Sequence, residues 1–157
     1  MKSKDGVRMR PSQPLAFASA SERWFTAKDE FPRQNVRLQF LEERGHEVLT
    51  RHLVSEGAIE ADRAISAQDV FRRDMAWLAQ SELFIAEVSG SSFGLGFEAG
   101  YLLGATQTPV ILFYRRELEK RVSLMITGNS HPHCTLVPYS EIREVEEFLM
   151  TRVPFSR

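Results

Sequence analysis

Two nearly continuous apolar runs, Leu83 to Val88 (LFIAEV) and Pro109 to Tyr114 (PVILFY), constrain this chain more than any other feature. Neither alternates between apolar and polar residues, as a strand with one wet face would. Both read as central parallel strands covered on both faces. Between them stand a Ser/Gly turn, Ser89 to Gly94, and a helix predicted over Leu95 to Ala105. A second helix is predicted before the first run, over Ala67 to Gln80, where Val70, Phe71, Trp77 and Leu78 recur at three and four. The stretch Asp74 to Gly104 is therefore helix, strand, turn and helix, and each helix carries an acid in its apolar stripe. Asp74 falls midway along the first stripe, and Glu98 shares a face with Leu95 and Leu102.

The flanking sequence extends the same alternation. Leu15 to Ala18 is a short apolar run, followed by the small-residue turn Ser19-Ala20-Ser21. A helical pattern begins at Asp29, pairs Val36 with Phe40 and Leu38 with Leu41, and ends at Gly45 as a C-cap. A strand is expected over His46 to Thr50, and Val54 to Ser66 reads as a loop with a helical turn covering the site. Thr135 to Pro138 is a fifth strand, and Ser140 to Met150 is a terminal helix opened by its Ser. The whole is one doubly wound α/β domain over residues 14–157 with a five-stranded parallel sheet, flavodoxin- or Rossmann-like. Residues 1–13 are polar and aperiodic and read as a flexible leader.

Composition narrows the function. A chain of 157 residues, 43% hydrophobic, suits one core. The formal net charge of -1 argues against a binder of nucleic-acid backbones or acidic membranes, which needs clustered excess Lys and Arg. A small ligand is the better expectation. The single cysteine, Cys134, excludes an intramolecular disulfide framework and fits a reducing compartment, so the cytoplasm is the expected location. No apolar signal region follows the basic N-terminus, and the longest aliphatic run is far short of the ~20 residues a membrane span needs.

The two inward acids are the sharpest chemical feature, because a buried carboxylate without a partner costs several kcal/mol or shifts its pKa. Two readings stay open. In the first, the acids form only local ion pairs, Asp74 with Arg72 or Arg73 and Glu98 with some Arg. Alternatively, both reach the crevice at the carboxyl ends of the strands and act as the carboxylate pair of a glycosidic-bond site. Glu98 is then the ionised nucleophile, favoured by its placement near a helix N-terminus. The Ser89 to Gly94 turn offers hydroxyl and backbone donors for an anion, or simply caps the helix through Ser92. Neither a Walker A loop nor GxGxxG is present, since Gly94, Gly96 and Gly100 are spaced G-x-G-x3-G. His131, His133 and Cys134 include zinc-ligand types, but no second cluster completes a shell, and neither metal nor cofactor is expected. His52 is a strand-end polar residue near the crevice, Trp24 and Phe25 either stack on a base or pack, and Arg115 to Arg121 is a solvated charged face.

Taken together, Arg73-Asp74-Met75-Ala76-Trp77-Leu78, Ile85-Ala86-Glu87-Val88, the block Ser92 to Gly100 (SFGLGFEAG) and Ser123-Leu124-Met125-Ile126 resemble the nucleoside 2-deoxyribosyltransferase superfamily. The resemblance spans roughly residues 15–150 and is strongest to the branch of 2'-deoxynucleoside 5'-monophosphate N-glycosidases. It implies that Glu98 attacks the anomeric carbon, that Asp74 orients the sugar or handles the leaving-base proton, and that Ser92 binds the 5'-phosphate. Gly94 and Gly96 belong to the same substrate-binding block, and His52 matches the family's His after the second strand. The resemblance further implies a homodimer in which Ser123 enters the neighbouring subunit's site. The first turn departs from the family's aromatic and Gly-Ser pattern: here it reads Phe17-Ala18-Ser19-Ala20-Ser21-Glu22-Arg23, so Phe17 and Ser19 occupy the positions that approach sugar and phosphate. The expected activity is hydrolysis of a (2'-deoxy)nucleoside 5'-monophosphate to free base through a glycosyl–Glu98 intermediate. The alternatives are transfer of the deoxyribosyl group to another base and a nucleotide-sensing module without turnover.

Overall fold

The computed structural model describes residues 15–20, 39–50 and 58–153, the first segment and residues 58–60 by backbone alone. The expected leader, most of the helix expected from Asp29, Trp24, Phe25 and His52 lie outside these residues. Among the described residues five parallel strands form one sheet: β1 (Leu15–Ala20), β2 (Glu47–Val48), β3 (Leu83–Glu87), β4 (Val110–Arg115) and β5 (Cys134–Tyr139). Their order is β2-β1-β3-β4-β5. The chain steps outward from β1 to β2 and then returns to place β3 on the other side of β1. The order therefore reverses between β1 and β3, where ligands of open α/β sheets bind at the carboxyl ends. In register, Ala20 lies beside Glu87, and Glu87 beside Phe113.

The helices are α1 (Ala58–Arg63), α2 (Ala67–Gln80), α3 (Phe93–Ala105), the single turn α4 (Leu124–Thr127) and α5 (Ile142–Arg152), with a 3-10 segment at Arg116–Arg121. Strand periodicity explains how they are shared between the faces. Phe84 and Ala86 of β3, with Val110, Leu112 and Tyr114 of β4, point to one side and pack with Leu78 of α2 and with Leu95, Ala99 and Leu102 of α3. Ile85, Ile111 and Phe113 point to the other side, where Leu41, Tyr139, Val145 and Leu149 meet them. Both faces are dry, which is why these strands read as continuous apolar runs.

Local chemistry sets the element ends. Residues 39–43 are the last helical turn before β2, and Gly45 follows with φ 85°. The Gly45 N–H donates to Glu42 O at 2.9 Å and the His46 N–H to Leu41 O at 3.1 Å. This pair of bonds is a Schellman ending, which favours Gly in the left-handed position. The helical turn expected within segment 54–66 is the six-residue helix α1, and the segment ends in Ser66, the N-cap of α2, which accepts from Asp69 N–H. Two expectations need correction. The strand expected over His46 to Thr50 pairs only through Glu47–Val48. The last helix opens at Glu141, not Ser140, because Glu144 Oε1 accepts from the N–H groups of both Ser140 and Glu141 at 2.9 Å and supplies the closure a Ser would have given. Those two donors hold the exposed Glu144 carboxyl below its usual range, with Arg116 assisting.

Candidate active site

Helices α2 and α3 both start at the carboxyl edge of the sheet. The former runs back toward the start of β3, and the latter departs from its end. The two helices contact each other, with the rings of Phe71 and Phe97 6.2 Å apart. This places Asp74, one turn beyond Phe71, and Glu98, next to Phe97, on neighbouring, contacting helices.

Asp74 does not point into the core as its stripe suggested. Of α2 only Leu78 is buried, Phe71 is exposed, and the Asp74 side chain is 26% exposed. The stripe is divided: Leu78 is buried and Trp77 packs against the core, while Phe71 and Asp74 lie nearer the surface. The Asp74 carboxylate accepts from Arg73 Nε at 2.8 Å, so the local ion pair exists. Arg73 in turn grips Asp62 of α1 through Nη1 at 2.7 Å and Nη2 at 3.3 Å, and its guanidinium lies 4.7 Å from the Trp77 ring. Hydrogen bonding to Asp62, and then to Asp74, drives the Arg73 pKa well above its ordinary value, so it stays charged under all working conditions. Asp62 and the aromatic ring fix the arginine, and the arginine fixes Asp74. Sequence reasoning missed Asp62, because the segment carrying it had no clear period.

Glu98 is half-buried in the second turn of α3, and its Oε2 is shielded from solvent. A helix dipole acts mainly within the first turn, so its support for an ionised Glu98 is weaker than the sequence position suggested. Ser92 is the N-cap of α3 and accepts from Leu95 N–H at 3.3 Å. Among the described residues, nothing beyond the helix's own backbone and the adjoining residues lies within 4 Å of where a side chain would begin at Gly94 or Gly96. Free N–H groups, a hydroxyl and accessible backbone together suit an anion.

Ser123 caps α4 by accepting from Met125 N–H at 3.3 Å and stands on an exposed tip with Leu124 (85% exposed) and Met125 (84% exposed). Phe17 and Ser19 both lie within β1, Phe17 in mid-strand level with Phe84 of β3 and Ser19 level with Ala86, so the turn expected to begin at Ser19-Ala20 is strand instead. At the opposite edge of the sheet, His131 Nδ1 accepts from His133 N–H at 3.2 Å, and burial pushes the Cys134 thiol pKa up, both unfavourable to metal ligation. Among the described residues no group of three or more His, Cys, Asp or Glu side chains could hold a metal ion, and no helix is long and apolar enough to cross a membrane.

No family model matches the chain. Individual relatives do. A Thermofilum pendens protein named "Putative 2'-deoxynucleoside 5'-phosphate N-hydrolase 1" is 40% identical over 119 residues, 76% of this chain and 82% of that one. A Nematostella vectensis protein of the same name is 33% identical, covering 66% and 71% of the two chains. The mouse 5-hydroxymethyl-dUMP N-hydrolase is 34% identical over 84 residues, 52% of this chain and 47% of its own. In three dimensions the Clostridium botulinum CMP N-glycosidase BcmB superposes with a TM-score of 0.65 at 20% identity, covering 88% of this chain and 99% of that one, which establishes a shared fold. With its parallel sheet, its paired acid-bearing helices and this degree of identity over most of its length, the chain belongs to the 2'-deoxynucleoside 5'-phosphate N-hydrolase family.

Proposed function

We propose that this protein hydrolyses the N-glycosidic bond of 2'-deoxyribonucleoside 5'-monophosphates, releasing the free base and deoxyribose 5-phosphate. The observation that carries the reading is the placement of Asp74 and Glu98 on contacting helices beside the Ser92 helix start, in a chain 40% identical to a named N-hydrolase. A Glu98 carboxylate oxygen attacks the anomeric carbon as the bond to the base nitrogen breaks, and the base leaves with the electron pair and takes up a proton. Asp74, held by Arg73, orients the sugar and assists that proton transfer. Water then attacks the anomeric carbon, the ester bond to Glu98 breaks, and the proton lost from water leaves through a nearby carboxylate. Ser92 and the free N–H groups of the first turn of α3 hold the 5'-phosphate, with Gly94 and Gly96 letting the substrate approach the backbone. Phe17, Ser19 and His52 complete the sugar and phosphate contacts. Incubation with a panel of ribo- and deoxyribonucleoside monophosphates and free nucleosides, followed by chromatography, tests the reading; absence of free base from every nucleotide contradicts it. Ser92→Ala is expected to raise KM for the monophosphate about tenfold, the loss of one hydrogen bond to a charged group, and initial-rate kinetics check it.

The site is completed by a second copy. Ser123 stands on an exposed tip beside Leu124 and Met125, and Phe93, next to Ser92, is 99% exposed. Apolar residues this exposed on both the tip and the site's rim fit a self-complementary dimer contact that carries Ser123 toward the partner's phosphate. Ser123→Glu, which sets a negative charge against that phosphate, is expected to be inactive. Mixing it with inactive Glu98→Ala should restore about a quarter of wild-type activity, since half of the randomly exchanged dimers are mixed and each has one intact site. Mixtures as inactive as their components would show that Ser123 acts within its own chain.

A further inference from the structure

Glu87 lies outside the catalytic constellation, yet it is only 2% exposed at the carboxyl end of the central strand. It belongs to the LFIAEV run, where the single acid passed as part of an apolar strand. It lies beside Ala20 at the switch point and points, like Ile85, to the face that holds Tyr139. A carboxylate so buried is costly unless it is hydrogen-bonded, and the donors present are specific. Ser89 Oγ donates to Glu87 Oε1, Ser89 N–H donates to Oε2 at 3.2 Å, and Tyr139 Oη lies 3.4 Å from Oε1. The same Ser89 Oγ accepts from Arg115 N–H at 2.8 Å, extending the β3–β4 ladder one rung beyond the Val88 N–H to Phe113 O bond. One carboxylate thus ties the first residues of the turn after β3 to the ends of β4 and β5, and that turn ends three residues later in Ser92.

We infer that Glu87 is a positioning residue: through Ser89 it sets the turn that presents Ser92 and the α3 N-terminus to the substrate's 5'-phosphate. This rests on the phosphate role proposed for Ser92. An apolar side chain of similar size would fill the space among Ile85, Phe113 and Tyr139 but would leave both donors of Ser89, and the Tyr139 hydroxyl, without these acceptor oxygens. Glu87→Gln keeps the shape but replaces one acceptor with an NH2 donor, so one of the two Ser89 donors loses its partner. Ser89→Ala removes the hydroxyl instead and carries the test independently should the Gln variant fold poorly.

Steady-state kinetics of both variants with a 2'-deoxyribonucleoside 5'-monophosphate decide the matter. A positioning role predicts KM raised about tenfold with kcat within about twofold of wild type, because the phosphate site is misplaced and the carboxylates on α2 and α3 are not. A role confined to folding predicts the opposite split, a lower kcat from fewer active molecules with KM unchanged, and that result, or kinetics identical to wild type, overturns the inference. A wild type that releases no base sinks the proposed function and this inference with it, whereas an active wild type with unaltered variants sinks the inference alone.

Discussion

Replacing Glu98 with alanine is expected to lower kcat/KM at least about a thousandfold, the scale on which loss of a covalent nucleophile acts when binding and orientation remain. The residual rate should be insensitive to the identity of the base. The fold should survive, for a specific reason. Glu98 is half-buried on α3, whose packing against the sheet is carried by Leu95, Ala99 and Leu102, and alanine is the better helix former. Release of free base, measured by chromatography on purified variant and wild type with matching melting curves, checks it. A variant of near wild-type activity would remove Glu98 from the mechanism.

Asp74→Ala should rank next, with kcat/KM reduced about 10²- to 10⁴-fold, the range for loss of a positioned proton-transfer group. The competing account is that Asp74 serves only to pair Arg73. That account predicts a stability effect and little else, and the geometry limits the effect. Arg73 keeps two bonds to Asp62 and its place over Trp77, and a pair whose Asp74 side chain is 26% exposed is worth at most about 1 kcal/mol. A variant that folds normally and loses activity therefore assigns Asp74 to the chemistry. Asp62→Ala serves as the control: it removes the outer partner of Arg73 and should cost a few-fold in kcat through a looser Asp74, well short of the direct variant.

The sequence spoke clearly where one physical signal dominated. LFIAEV and PVILFY are apolar on both faces, and in the structure Phe84 and Ile85, or Leu112 and Phe113, do face opposite cores. Helix α2 announces itself by its period and matches the predicted bounds. Gly45 read as a C-cap because the left-handed turn favours glycine there. Where several weak signals competed, the reading was poorer. The helical turn expected in 54–66 has no strong period to fix its bounds, and the cap of α5 passed from Ser140 to Glu141 because the Glu144 carboxylate reaches both N–H groups. The stripe containing Asp74 has the right spacing for burial, yet Leu78 alone of it is buried; spacing reports which residues share a face, not what covers it. Glu87 was the least legible, since its meaning lies in Ser89, Arg115 and Tyr139, brought together only by the parallel register.

The central claim is that the sugar becomes bonded to Glu98 during turnover. Its most direct test uses a 2'-deoxy-2'-fluororibonucleoside 5'-monophosphate, whose electron-withdrawing fluorine slows breakdown of a glycosyl ester, followed by mass spectrometry of the intact protein and of its peptides. The account predicts one stoichiometric sugar-phosphate adduct, mapped to the peptide containing Glu98 and absent from Glu98→Ala. Base release by the wild type with no adduct on any peptide, or an adduct on another residue, would contradict it.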